Sequence, residues 1–211
     1  MTDMSRLAGV LLLSSLTAMV AGAAVAVPSG LTLNPADLGA TLQAVHDRTG
    51  LHLLSLALDV LGWLALTAAG LARAGLAGGL LAAAGLAGML HDAGNLAVTQ
   101  LTADPGAALP VLLTAKWAVN LAGLLWVAAT AAALLPLSGR WRSAGTAAAL
   151  SGLAAVVLPW TAGLAGPSAA LEQAGYALHL PVMVWWGVVG LRHHGRDAHP
   201  EPPVPLGPDP A

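Results

Sequence analysis

The chain reads as an all-α, polytopic transmembrane bundle of about six spans with both termini in the cytoplasm, and three observations predict it. Of 211 residues, 57% are hydrophobic and only 9% charged, against about 25% charged in soluble domains. The apolar residues gather into six runs, each near the length of about 20 residues that crosses a bilayer as a helix. Arginine is distributed unevenly about those runs, in the way that sets membrane orientation.

The six predicted spans lie near residues 7–27, 51–72, 74–98, 108–135, 144–163 and 174–191. Lipid leaves no room for unpaired backbone, so each should be helical throughout. Breakers sit in the short linkers: Pro28 and Pro35, Asp104-Pro105-Gly106, Ser138-Gly139 and Gly166-Pro167. The first run has a second reading. Arg6, an apolar stretch and Ala24-Val25-Ala26 together resemble a cleavable signal peptide. The run is also long enough to span, and the chain emerges on the same side at Pro28 in either case. With the amino terminus inside, Arg6, Arg73, Arg140, Arg142, Arg192 and Arg196 are all cytoplasmic, and only Arg48 falls in an outer loop. That bias sets both ends inside; the expected location is the inner, or plasma, membrane of a bacterium.

Between the first two spans, Asn34 is a good N-cap, Pro35 suits a first helical position and Asp37 sits near the positive end of the helix dipole. Leu38, Leu42 and Val45 recur at i, i+4, i+7. A short amphipathic helix near residues 35–46 should lie on the outer surface, as a structural lid or as a gate over a site beneath it. The Pro- and His-rich tail, residues 192–211, should be disordered; His193, His194 and His199 offer at most weak metal binding there. Gly75 and Gly79 have the small-xxx-small spacing of close helix contacts. Trp141 and Trp185-Trp186 suit a cytoplasmic aromatic belt and Trp160 an outer one, whereas Trp63, Trp117 and Trp126 read as core packing.

Several function classes are excluded or left without support. No cysteine is present, which removes disulfides, thiolate metal sites and thiol catalysis. The few basic residues are scattered, so nucleic acid is not an expected partner; the expected partner is the lipid bilayer. G-x-S-x-G, H-E-x-x-H, P-loop and G-x-G-x-x-G motifs are all absent, and nothing assigns an enzymatic reaction. Ser14, Ser15, Ser55 and Ser151 fit helix–helix hydrogen bonding.

The residues that do not belong in lipid carry the functional reading. Asp59, Asp92 and Lys116 lie inside spans, where each costs ~2.5–3.5 kcal/mol at the bilayer centre. Counting at 1.5 Å per residue, these three and His179 share a depth roughly 8–12 Å below the outer boundary. Each belongs to a helical stripe: His52, Ser55, Asp59, Gly62; then Gly85, Gly88, Asp92, Asn95, Thr99; Lys116, Asn120, Gly123, Thr130; and Glu172, Tyr176, His179, Met183, Trp186. The expected site is therefore a polar pocket in the outer half, built from Asp59, Asp92, Lys116, His179, Asn95, Asn120 and Tyr176. Lys116 is its counter-charge, and a small solute, proton or cation is bound or moved there. A scaffold whose buried Asp–Lys pair only fixes helix packing is the alternative, with the second Asp hydrogen-bonded to Asn95, Asn120 or Tyr176. A haem- or metal-binding protein is a third reading: His52 and His179 could hold haem between helices, although no C-x-x-C-H motif is present. His91 and Asp92, adjacent on one helix, point about 100° apart and should not face one site squarely. No cofactor is assigned on these grounds.

The layout, with Asn34-Pro35-Ala36-Asp37-Leu38 outside and Ser138-Gly139-Arg140-Trp141-Arg142-Ser143-Ala144-Gly145 opening a late span, resembles that of bacterial six-helix integral membrane proteins without an assigned activity. The resemblance implies the bundle and transfers no functional residue.

Overall fold

A computed structural model describes residues 2–161 and 167–195, and among them all regular structure is helical. Six long helices, α1 (Thr2–Ala26), α3 (Thr49–Leu71), α4 (Leu76–Gln100), α5 (Pro105–Leu134), α6 (Gly139–Trp160) and α7 (Ala169–Gly195), each contain a stretch apolar enough to cross a membrane. The protein is thus a multi-pass membrane protein. A 3-10 turn (Pro35–Asp37) and the short helix α2 (Leu38–Asp47) fill the first connection.

Helix boundaries depart from the hydropathy reading where the first turn is polar. Asp104 caps α5 by accepting from Ala107 N, and Pro105 occupies its first position, so that helix begins before its apolar stretch. Gly139, at φ +59°, opens α6, and the Arg140-Trp141-Arg142 turn is already helical. In α7 the polar Glu172-Gln173 pair belongs to the first turns for the same reason. Residues 196–211, with His199 and Arg196, lie outside the described residues, as do the side chains of Trp160, His193 and His194.

The long helices form a closed ring in chain order: α1 packs on α3, α3 on α4, α4 on α5, α5 on α6, α6 on α7, and α7 returns to α1. Short connections force antiparallel neighbours, so α2 and the 3-10 turn sit at the end where α1 finishes and α3 begins. There α2 and the preceding segment bury Leu31, Leu33, Leu42 and Val45 against Val98, Ala108 and Leu112. The other half of the ring is filled by a larger apolar cluster that includes Leu66, Leu81, Leu134 and Trp186. Without water around the helices, such rings hold together by close packing and interhelical hydrogen bonds. Ser151 of α6 supplies one, donating to the Leu178 carbonyl at 2.7 Å, three residues before Pro181 interrupts the α7 ladder.

Glycine sets the α3–α4 contact, at positions other than those expected. Gly75 and Gly79 have nothing near the place a Cβ would occupy, and Gly75 instead starts α4 at φ +85°. The close approach is made by Gly78, Gly85 and Gly88. A Cβ on Gly78 would stand 2.7 Å from the Gly70 carbonyl oxygen, one on Gly85 the same distance from that of Trp63, and one on Gly88 would enter the Trp63 ring. Spacing alone could not identify these, because a composition rich in Gly offers several equivalent registers.

Tryptophan placement also needs correction. Trp185 and Trp186 are core residues rather than belt anchors: Trp186 is 1% exposed and donates to Thr130 Oγ1 at 2.9 Å. Trp117 points outward, 52% exposed, because its neighbour Lys116 takes the inward face. Trp141 lies under the Arg192 guanidinium, 3.5 Å from the ring centre.

Candidate functional site

A cavity of about 350 Å³ lies inside the ring toward the α2 end, with walls from all six long helices. Asp59 of α3, Asp92 and Asn95 of α4, Lys116 and Asn120 of α5, and Tyr176 and His179 of α7 all line it. Asp92, Asn95 and Lys116 are buried, Asp59, Asn120 and His179 half-buried, and Tyr176 is more open. Trp63 and Trp126 form the wall toward the apolar half, their rings edge-to-face at 5.8 Å, and His179 meets Trp126 in the same manner at 5.2 Å. All four stripes reach the cavity with polar residues: His52, Ser55 and Asp59 from α3, Asp92 and Asn95 from α4, Lys116 and Asn120 from α5, and Glu172, Tyr176 and His179 from α7.

The charge pairing differs from the expectation. Lys116 Nζ lies 2.5 Å from Glu172 Oε1, and both side chains are buried. Lys116 therefore does not pair with Asp59 or Asp92. Its long stem crosses the cavity from α5 to α7, two helices that α6 separates in the ring. Glu172 heads the α7 stripe two turns above His179, yet its place near the start of the span put it at the expected water boundary. The lid removes that boundary. Asn34 Nδ2 donates to Glu172 Oε2 at 3.0 Å and to the Pro167 carbonyl at 3.1 Å. Its Oδ1 meanwhile accepts from Ala36 N and caps the 3-10 turn. Asp37, expected in the first turn, accepts from Ala40 N as the cap of α2. Asn34, Glu172 and Lys116 thus tie the lid, α7 and α5 together.

The two aspartates are left without that cation. Ligating atoms of Asp59, His91 and Asp92 all lie within 4.8 Å of one another. Asp92 is 1% exposed, and among the described residues neither of its carboxylate oxygens has a hydrogen-bond partner. The expected hydrogen bond between Asn95 and an aspartate is absent as well. Asn95 Nδ2 donates to His91 Nε2 at 2.9 Å, leaving Asn95 Oδ1 buried and unpartnered. The indole N–H groups of Trp63 and Trp126 are likewise buried without an acceptor. Buried polar atoms are nearly always hydrogen-bonded, so this many orphans around one space point to a site that something polar fills.

The histidines take fixed roles. His91 Nδ1–H donates to the Ala115 carbonyl at 2.8 Å while its Nε2 accepts from Asn95. Both ring nitrogens are engaged in the neutral form. Its ring and the Asp92 carboxylate do converge on the cavity, against the expectation from their 100° separation. As placed, however, His91 has no free lone pair for a metal, and only the two carboxylates remain to offer. His52 Nε2–H donates to the Asn95 carbonyl at 3.3 Å. That bond commits one nitrogen of the His52–His179 pair considered for haem.

Comparison of the chain with protein-family models, with curated proteins and with solved structures finds no match. The functional reading rests on this cavity alone.

Proposed function

We propose that the protein binds, and by extension moves, a small positively charged solute, cation or proton in the outer half of a bacterial inner membrane. Both termini lie in the cytoplasm in this reading, which rests on the six-to-one arginine bias across the loops. One observation carries the binding role: the fully buried, unpartnered Asp92 carboxylate beside Asp59. Lys116 is already neutralised by Glu172, so the aspartate pair retains a formal charge that hydrocarbon does not tolerate without a proton or a cation. Ionisable groups inside membranes that pair neither with each other's opposite nor with backbone mark ligand or ion pathways.

The scaffold alternative draws its support from the Lys116–Glu172–Asn34 network, which links α5, α7 and the lid. The two roles divide between two clusters: one set of charges holds the fold, the other faces the cavity.

Reconstitution into liposomes tests this reading, with proton and monovalent-cation entry followed by entrapped dyes. The parent should show a flux or a saturable cation response that Asp92→Asn abolishes while the variant's melting temperature is retained. A folded Asp92→Asn protein that behaves like its parent would sink the proposal.

A further inference from the structure

We infer that the occupant of this cavity is a small organic ammonium ion carrying a hydrogen-bond acceptor, such as a short amino alcohol, rather than a bare inorganic ion. The inference rests on the acidic-pocket reading above and refines it.

Three features select the class. Size comes first: a water molecule occupies about 30 Å³, so a space of about 350 Å³ is far larger than one ion, and it falls within the range of small-molecule pockets. Next is the set of acceptors. A hard divalent cation needs six or more oxygens at tight, uniform distances, whereas an ammonium head has three N–H donors. Among the side chains lining the cavity, Asp59, Asp92 and the free Oδ1 of Asn95 can accept them. Asp92 and Asn95 are three residues apart on α4 and so share a face.

The third feature is the aromatic wall. Trp63 and Trp126 offer aromatic surface, which attracts alkylammonium groups. Each also has a buried indole N–H with no acceptor. A bare metal ion cannot accept a hydrogen bond. A hydroxyl or carbonyl oxygen of an organic cation can, and it satisfies the two orphan donors while the head satisfies the orphan acceptors. Both kinds of orphan, on helices α3, α4 and α5, are thus met by a single molecule.

A primary ammonium with a nearby oxygen occurs both in free amino alcohols and in ethanolamine lipid headgroups. The test uses the full-length protein in phosphatidylcholine nanodiscs, titrated with ethanolammonium chloride and, separately, with sodium and magnesium chloride at matched ionic strength. Intrinsic tryptophan emission and calorimetry report binding. Ethanolammonium should saturate, Asp92→Asn should weaken it about tenfold or more, as loss of a charged hydrogen bond does, and Trp126→Phe should weaken it to a smaller degree. Asp59→Asn gives a second arm should Asp92→Asn fail to fold. In a further arm, nanodiscs containing phosphatidylethanolamine that compete with the free ion identify the headgroup as the source, and absence of competition identifies the free amine; either extends the assignment. Saturation by magnesium or sodium with no response to ethanolammonium overturns the organic class and leaves the acidic pocket standing. Ethanolammonium binding that neither aspartate variant alters, in protein with the parent's melting temperature, overturns both readings, as does no saturable response to any probe.

Discussion

Glu172 holds Lys116 at 2.5 Å across the cavity, from α7 to α5, and the same carboxylate accepts the Asn34 side chain from the lid. The ammonium that looked like the counter-charge of two aspartates is thereby spent on a third acid. This relationship separates the charges that build the protein from those that face its interior space.

Breaking the pair from one side should cost far more than removing it. Lys116→Met leaves Glu172 as a buried uncompensated charge, and a loss of about 3–5 kcal/mol is expected. Glu172→Gln strands the lysine similarly. The double variant, Lys116→Met with Glu172→Leu, should recover much of the loss. Thermal melting of the four proteins in detergent forms a double-mutant cycle; a double variant destabilised by the sum of the two single changes would show that the contact does not couple them.

Asn34→Ala should loosen the lid without unfolding the ring. It removes a cap worth about 1 kcal/mol and the links to Glu172 and Pro167. Hydrogen exchange should rise across residues 28–48 while α4 and α5 keep their protection. Unchanged exchange in that segment would mean the apolar contacts of Leu42 and Val45 hold the lid alone.

Two glycines of α4 should respond in opposite ways. A methyl group on Gly88 runs into the Trp63 ring, and a cost of about 1–3 kcal/mol is expected as the cavity wall shifts. Gly79 faces open space, so Gly79→Ala should be neutral or stabilise by up to about 1 kcal/mol through helix propensity. Melting temperatures of the two variants check the contrast.

Ring closure depends on α1, which packs on both α3 and α7 and lines the cavity with Met19, Gly22 and Ala23. Deleting residues 2–26 should expose both neighbours and give aggregated protein on size-exclusion chromatography. A monodisperse, ligand-responsive deletion variant would show that the remaining helices close by themselves.

Much of the cavity lining was readable beforehand because a span makes polar residues conspicuous. Asp59, Asp92, Lys116 and His179 each cost enough in lipid to demand an inward face, and helical periodicity then carried Asn95, Asn120 and Tyr176 with them. Glu172 escaped this logic. Two residues ahead of the span predicted from 174, that acid looks solvated, and only the lid folding over it through Asn34 makes it a buried partner. The aromatic wall escaped too: Trp63 and Trp126 fit core packing equally well until their unpartnered N–H groups were placed beside the aspartates.

By itself the sequence determined the all-helical membrane architecture, the lid helix, and which face of four of the spans turns inward. These follow from local terms, since hydrocarbon penalises every charge and every unpaired backbone group in the same way wherever it occurs. Pairing was decided only in three dimensions. Whether Lys116 meets an aspartate or Glu172, whether His91 keeps a free nitrogen, and which glycines let helices touch all depend on the order of helices in the ring and their rotation. Those are set by side-chain fit between elements distant in the chain, a property no single helix carries.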